Sequence, residues 1–128
     1  MTSDTRSGTR SQRSGGILAA VYFVLAIGGL VGTWYFNIRF AGEASELNYI
    51  EAWFVNAASS SAAVDIIVTA LAANVFFVIE GLRLGWGKWS WVFIPLTYLV
   101  ALAFVFPLFL GLRELRLARR APASAPRV

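Results

Sequence analysis

A chain of 128 residues is one domain by size, and with 58% hydrophobic and only 14% charged residues it lacks the polar surface of a soluble domain, which carries about 25%. The absence of cysteine and histidine excludes disulfides, thiolate nucleophiles, Cys- or His-ligated metals and any Ser-His-Asp triad. The formal charge of +4 comes from arginines at the two ends and beside apolar stretches, where they read as topology signals and contacts for anionic lipid headgroups, not as a nucleic-acid surface.

Residues 1–15 are Ser, Thr, Gly and Arg with no apolar residue after Met1, a composition that predicts a disordered basic tail. The apolar run Ile17 to Phe36 is longer than a signal-peptide core, of about 7–15 residues, and no small-residue cleavage site follows, so it is a retained first membrane span. Gly28 and Gly32 form a G-x-x-x-G face that lets another helix, of this chain or of a copy, approach closely. Trp34, Tyr35 and Phe36 close the span as an interfacial aromatic belt. In the following connection, Leu47, Ile50, Phe54, Ala57 and Ala58 share a helical face with Trp53 at its edge, the pattern of a short helix lying in the headgroup region. The serines after Asn56 are placed to cap the next span.

That span, Ala62 to Leu82, is nearly all apolar, with Asp65 and Glu80 near its ends and Asn74 in the middle. At 1.5 Å per residue it is about 31 Å long, the thickness of a bilayer's hydrocarbon core. Intramembrane acids are functional candidates by default, yet Asp65 and Glu80 are both shallow, and about 22 Å apart they cannot act as a pair on one bond. Asp65 falls in the first turn, where the helix dipole favours it, and Glu80 has Arg83 three residues on as an ion-pair partner. A stripe of Asp65, Thr69, Ala72, Phe76 and Glu80 is mostly small and is expected to face the other helices, with Asn74 opposite, hydrogen-bonded to a neighbouring helix or a second copy.

The turn Arg83 to Ser90 is short, making the next span, Val92 to Leu112, an antiparallel neighbour. Trp86, Trp89 and Trp91 form its belt, Pro95 sits in its first turn, and Pro107 kinks it. The tail stays helical to about Arg119, and 121–128 is expected to be disordered. The expectation is therefore all-α and integral to the membrane. It has three transmembrane helices over residues 16–120, a short interfacial helix between the first and second, and a tail at each end. With three spans, Arg6, Arg10, Arg13, Arg83 and Lys88 share one side, and Arg39, Arg113, Arg116, Arg119, Arg120 and Arg127 the other. Five against six is too even for the positive-inside rule to choose an orientation, although the first span alone favours a cytoplasmic N-terminus.

The pattern Asn56-x-x-Ser59-x5-Asp65, then Glu80-Gly81-x-Arg83-x-Gly85, Trp89 and Pro107-Leu108-Phe109-Leu110-x-x-Arg113 resembles a family of small bacterial membrane proteins catalogued as domain of unknown function 2834. The resemblance covers Ile17 to Arg120 and implies three membrane helices in the bacterial inner membrane, multi-pass, with no assigned activity. It raises Asn56, Ser59, Asp65, Glu80 and Arg83 as the candidate functional positions. No catalytic residue, cofactor or metal is expected. The leading reading is a non-enzymatic packing or interaction subunit in contact with the lipid bilayer, forming a homo-oligomer or joining a larger membrane complex through Gly28, Gly32 and Asn74. The alternative is an enzyme acting on a lipid or isoprenoid with Asp65 as proton donor in a cavity among the spans; an ion path between Asp65 and Glu80 is a third.

Overall fold

A computed structural model describes residues 4–43 and 46–120, and these are helical almost throughout. Five α-helices follow one another: α1 (Asp4–Gly42), α2 (Tyr49–Trp53), α3 (Ala57–Arg83), α4 (Phe93–Leu99) and α5 (Leu102–Arg120), with a 3-10 segment (Gly87–Val92) leading into α4. Two of them, α1 from Ser14 onward and α3, are long and apolar enough to cross a membrane. Helix α1 begins at Asp4, inside the segment whose composition suggests a disordered tail. The expected second tail, 121–128, lies outside the described residues.

The expected third span is not one traversing helix. Along α3 and the segment that follows it, Gly81 backs onto Ser90, the Phe77 and Phe93 rings lie 5.7 Å apart, and the Asn74 amide donates to Tyr98 Oη at 3.0 Å. As the number falls on α3 it rises on α4, so α4 climbs alongside α3 from its C-terminal end. Between Asn74 and Arg83 that climb covers about 14 Å. The chain then turns at Val100–Ala101, and α5 descends. It runs parallel to α3, with Phe109 at 4.8 Å from Phe77 and Arg113 bound to Glu80, and antiparallel to α1. The C-terminal apolar stretch is a helical hairpin whose two ends lie at the same end of α3.

Small residues set the closeness of α1 and α5. Gly15 meets Ala118, Gly111 lies under the Phe23 ring, and Gly29 backs onto the Ala103 carbonyl; Ala19 and Ala26, buried on the same face, complete the seam. The Ala103 oxygen is the acceptor that residue 107 would use in a regular helix, and Pro107 has no N–H to give it. At the turn, Trp34 Nε1 donates to the Val100 carbonyl at 3.1 Å, so this indole serves the hairpin tip and is not only a belt residue. The expected G-x-x-x-G seam is corrected within the chain: a Cβ at Gly28 or Gly32 would meet nothing within 4 Å, because these glycines point away from α5.

Two further expectations are corrected. The inner face of α3 consists of Ala63, Ala70, Ala73, Asn74, Phe77 and Gly81, so Asn74 faces inward, and Asp65, Thr69 and Ala72 are exposed. The aromatic core explains the inversion: Phe77 and Phe109 are 0% exposed, and Phe93 and Trp86 stand at 4.9 and 5.2 Å from Phe109. That area outweighs a stripe of small side chains in choosing the face. In the connection between α1 and α3, the helix is the five-residue α2, capped by Asn48. Ala57 and Ala58 already belong to α3.

Replacing Gly29 by Ala drives a methyl into the Ala103 backbone, which cannot rotate away; a loss of about 1–3 kcal/mol is expected. The unfolding midpoint in detergent should fall for Gly29→Ala and stay within error for Gly28→Ala. Equal effects of the two would refute this seam.

Candidate functional site

The C-terminal ends of α3 and α5 meet at one end of the molecule, and there the second and third parts of the sequence pattern converge. Helix α3 stops because Gly85 adopts φ +75°, a left-handed conformation that costs glycine little. Trp86 N then bonds the Gly81 carbonyl at 2.9 Å and Gly85 N the Leu82 carbonyl at 3.0 Å, the reciprocal pair that closes a helix C-terminus. The next two carbonyls are taken by α5. Arg120 Nη2 donates to Leu84 O at 2.6 Å and Nη1 to Arg83 O at 3.4 Å, while Arg116 Nε reaches Leu84 O at 3.4 Å. Two guanidinium groups thus sit on the negative end of the α3 dipole.

Glu80 lies just inside this cap, its side chain 13% exposed. Its close partner is Arg113 Nε at 2.7 Å, from α5; Arg83 Nη1 stands back at 3.8 Å and is mostly exposed. The expected Glu80–Arg83 pair is therefore the weaker of two contacts, and the tie between α3 and α5 is the principal one. Arg113 also donates to Glu114 at 2.9 Å. The Glu80 hydrogen bond, against the opposing effect of burial, raises the Arg113 pKa above its ordinary value, so this guanidinium remains charged. Gly81 admits Ser90 against the helix, where the hydroxyl is buried without a hydrogen-bond partner.

Beside this cluster lies an open groove of about 420 Å³, lined by Trp86, Trp89, Val92, Phe93, Leu112, Leu115, Arg116 and Arg119. Around it gather Arg83, Lys88, Arg113, Arg116, Arg119 and Arg120 against Glu80 and Glu114, six cations against two carboxylates. A second groove, of about 430 Å³, lies at the other end between α1 and α2 and includes Arg39, Glu43, Tyr49 and Trp53. Tyr49 Oη donates there to Asn37 at 2.7 Å.

The first part of the pattern stands apart from the arginine end. The Asn56 side chain accepts from Ser59 N at 2.9 Å, and Ser59 Oγ accepts from Asn56 N at 3.2 Å, a reciprocal N-terminal cap of α3. Since α3 starts at Ala57, Asp65 lies in its third turn and not its first, which removes the dipole argument for that acid. Its side chain is exposed on the outer face, lines neither groove and forms no ion pair among the described residues. Asn74 is 8% exposed; its amide donates to Tyr98, and Thr97 Oγ1 lies 3.3 Å from its oxygen while donating to the Phe93 carbonyl at 2.8 Å. Reasoning from spacing missed Arg113, Arg116 and Arg120 as partners of α3, because a traversing third span would carry them to the opposite side.

The family described as protein of unknown function DUF2834 matches residues 21–115. No curated protein and no solved structure gives a match.

Arg113→Met leaves the largely buried Glu80 carboxylate with only the distant Arg83, a loss of about 2 kcal/mol. Paired with Glu80→Gln in a double-mutant cycle, the two should couple strongly, whereas Arg83→Met with Glu80→Gln should couple weakly. Unfolding midpoints in detergent give both values, and equal coupling would refute the assignment.

Proposed function

The chain belongs to the DUF2834 family of proteins of unknown function, and from that premise we propose that it is a small integral protein of the bacterial cytoplasmic (inner) membrane, acting as a non-enzymatic packing or interaction subunit. In this reading α1 and α3 are the two spans and the α4–α5 hairpin is re-entrant. Exposed Val24, Ile27 and Val31 on α1, and Leu71, Val75 and Ile79 on α3, are surface suited to lipid tails and not to water. Leu102 stands about 17 Å along α5 from Arg113, so the hairpin tip stops within a hydrocarbon layer about 30 Å thick.

The re-entrant hairpin changes the charge count. Arg6, Arg10, Arg13, Arg83, Lys88, Arg113, Arg116, Arg119 and Arg120 fall on one side and Arg39 on the other. Nine against one favours a cytoplasmic N-terminus and a cytoplasmic end of α5. Reporter fusions after Arg120 and at the N-terminus are both expected to report the cytoplasm, and a fusion in the α1–α2 connection the opposite side. A C-terminal fusion reporting the far side would restore three spans.

The single observation that supports interaction over catalysis is the setting of Asp65. A carboxylate near the edge of an apolar band, with no ion-pair partner among the described residues, would gain from a cation or donor on another chain. Gly28 and Gly32, with open space above them, offer a surface for close approach. The enzyme alternative requires Asp65 inside a cavity among the helices, and its exposed setting on the outer face of α3 does not favour that reading. Asp65→Asn is expected to lower cross-linked oligomer or complex yield severalfold while leaving monomer stability and membrane lipid composition unchanged. A changed lipid profile with intact assembly would favour the enzyme instead.

A further inference from the structure

We propose that the groove between the 3-10 segment and the C-terminal half of α5 binds one anionic phospholipid of the surrounding bilayer, its phosphate held by Arg116 and Arg119 beside the indoles of Trp86 and Trp89. The proposal rests on the membrane reading above. Charge argues first. Both carboxylates at this end are engaged, Glu80 with Arg113 and Arg83, and Glu114 with Arg113. Arg119 enters no ion pair among the described residues, and Arg116 gives Nε to the Leu84 carbonyl, which leaves its two terminal nitrogens as donors. The rim therefore carries positive charge that no carboxylate among the described residues offsets, and a guanidinium fork matches a phosphate's oxygens.

The walls argue second. A soluble anion needs donors alone, but this groove continues from its arginines onto Val92, Phe93 and Leu112. That succession of a cationic rim and an apolar wall matches a phosphate followed by glycerol and acyl carbons. Its volume of about 420 Å³ falls within the range of small-molecule sites, about 300–1,000 Å³. Level argues third. Arg116 stands beside Leu84, just past the end of α3, which is where the phosphates of the cytoplasmic leaflet lie if α3 crosses the hydrocarbon. Trp89, 66% exposed, is placed as an interfacial indole with one apolar and one wet side.

The test is native mass spectrometry of the full-length protein released from mild detergent with equal phosphatidylglycerol and phosphatidylcholine. Retained phosphatidylglycerol should exceed phosphatidylcholine by about fivefold or more. The Trp89→Ala/Arg119→Gln variant, in which both altered side chains are exposed and the unfolding midpoint should hold, should approach parity. Arg39→Gln, at the other end, should keep the preference. Equal retention by the wild-type protein, an undiminished preference in the double variant, or displacement of the lipid by millimolar inorganic phosphate would each overturn the site. A protein that is folded and monodisperse in buffer without detergent would overturn the membrane reading itself, a separate outcome.

Discussion

The hydrogen bond from the Trp34 indole to the Val100 carbonyl marks where the C-terminal apolar stretch reverses, and the reversal determines everything at the arginine end. Breaking a helix frees backbone carbonyls, and in an apolar medium each unpaired one costs several kcal/mol. At the tip the chain meets that cost with a side-chain donor. Trp34 takes Val100. Pro107 deprives the Ala103 oxygen of its ordinary donor, and Gly29 brings the α1 backbone directly against it. Asn74 braces the rising arm through Tyr98.

The reversal makes α3 and α5 parallel, so their C-termini and the negative ends of their dipoles lie together. Parallel dipoles at close range repel, and the concentration of arginine at this end offsets that directly. Arg116 and Arg120 of α5 sit on the last carbonyls of α3, while Arg113 holds Glu80 one turn further in. The glycines nearby are part of the same device: Gly85 ends α3 in a left-handed turn, and Gly81 lets Ser90 pass close enough for the 3-10 segment to start its climb.

Much of α3 is legible in the sequence, since a long apolar run bounded by Asn56 and Arg83 reads as a single helix. The hairpin is not, because hydropathy records how many apolar residues follow one another and not their direction. Two half-length helices have the same composition as one traversing helix. In the proposed membrane reading a signal does exist: three spans divide the basic residues almost evenly, and the division becomes one-sided when α5 returns. The glycine seam is hidden for a related reason: G-x-x-x-G draws attention to Gly28 and Gly32, while Gly15, Ala19, Ala26 and Gly29 stand four, seven and three residues apart, spacings that keep them on one helix face. Of the candidate site positions, Asn56 and Ser59 cap α3, and Glu80 with Arg83 belongs to its C-terminal ion cluster. Asp65 alone is left without an internal task among the described residues, and no sequence spacing distinguishes it from the others.

The α1–α2–α3 connection has a bearing on how the chain would enter a bilayer. In the proposed orientation it is the only polar stretch between described helices that must be carried across, and it holds Glu43, Glu46 and Glu51. A membrane potential negative on the cytoplasmic side drives such anions outward, at about 2.3 kcal/mol per charge for each 100 mV. The arginines of α5 never make the journey. Biogenesis would then export a short acidic loop and simply fold the C-terminal arm in from the side on which it was synthesised.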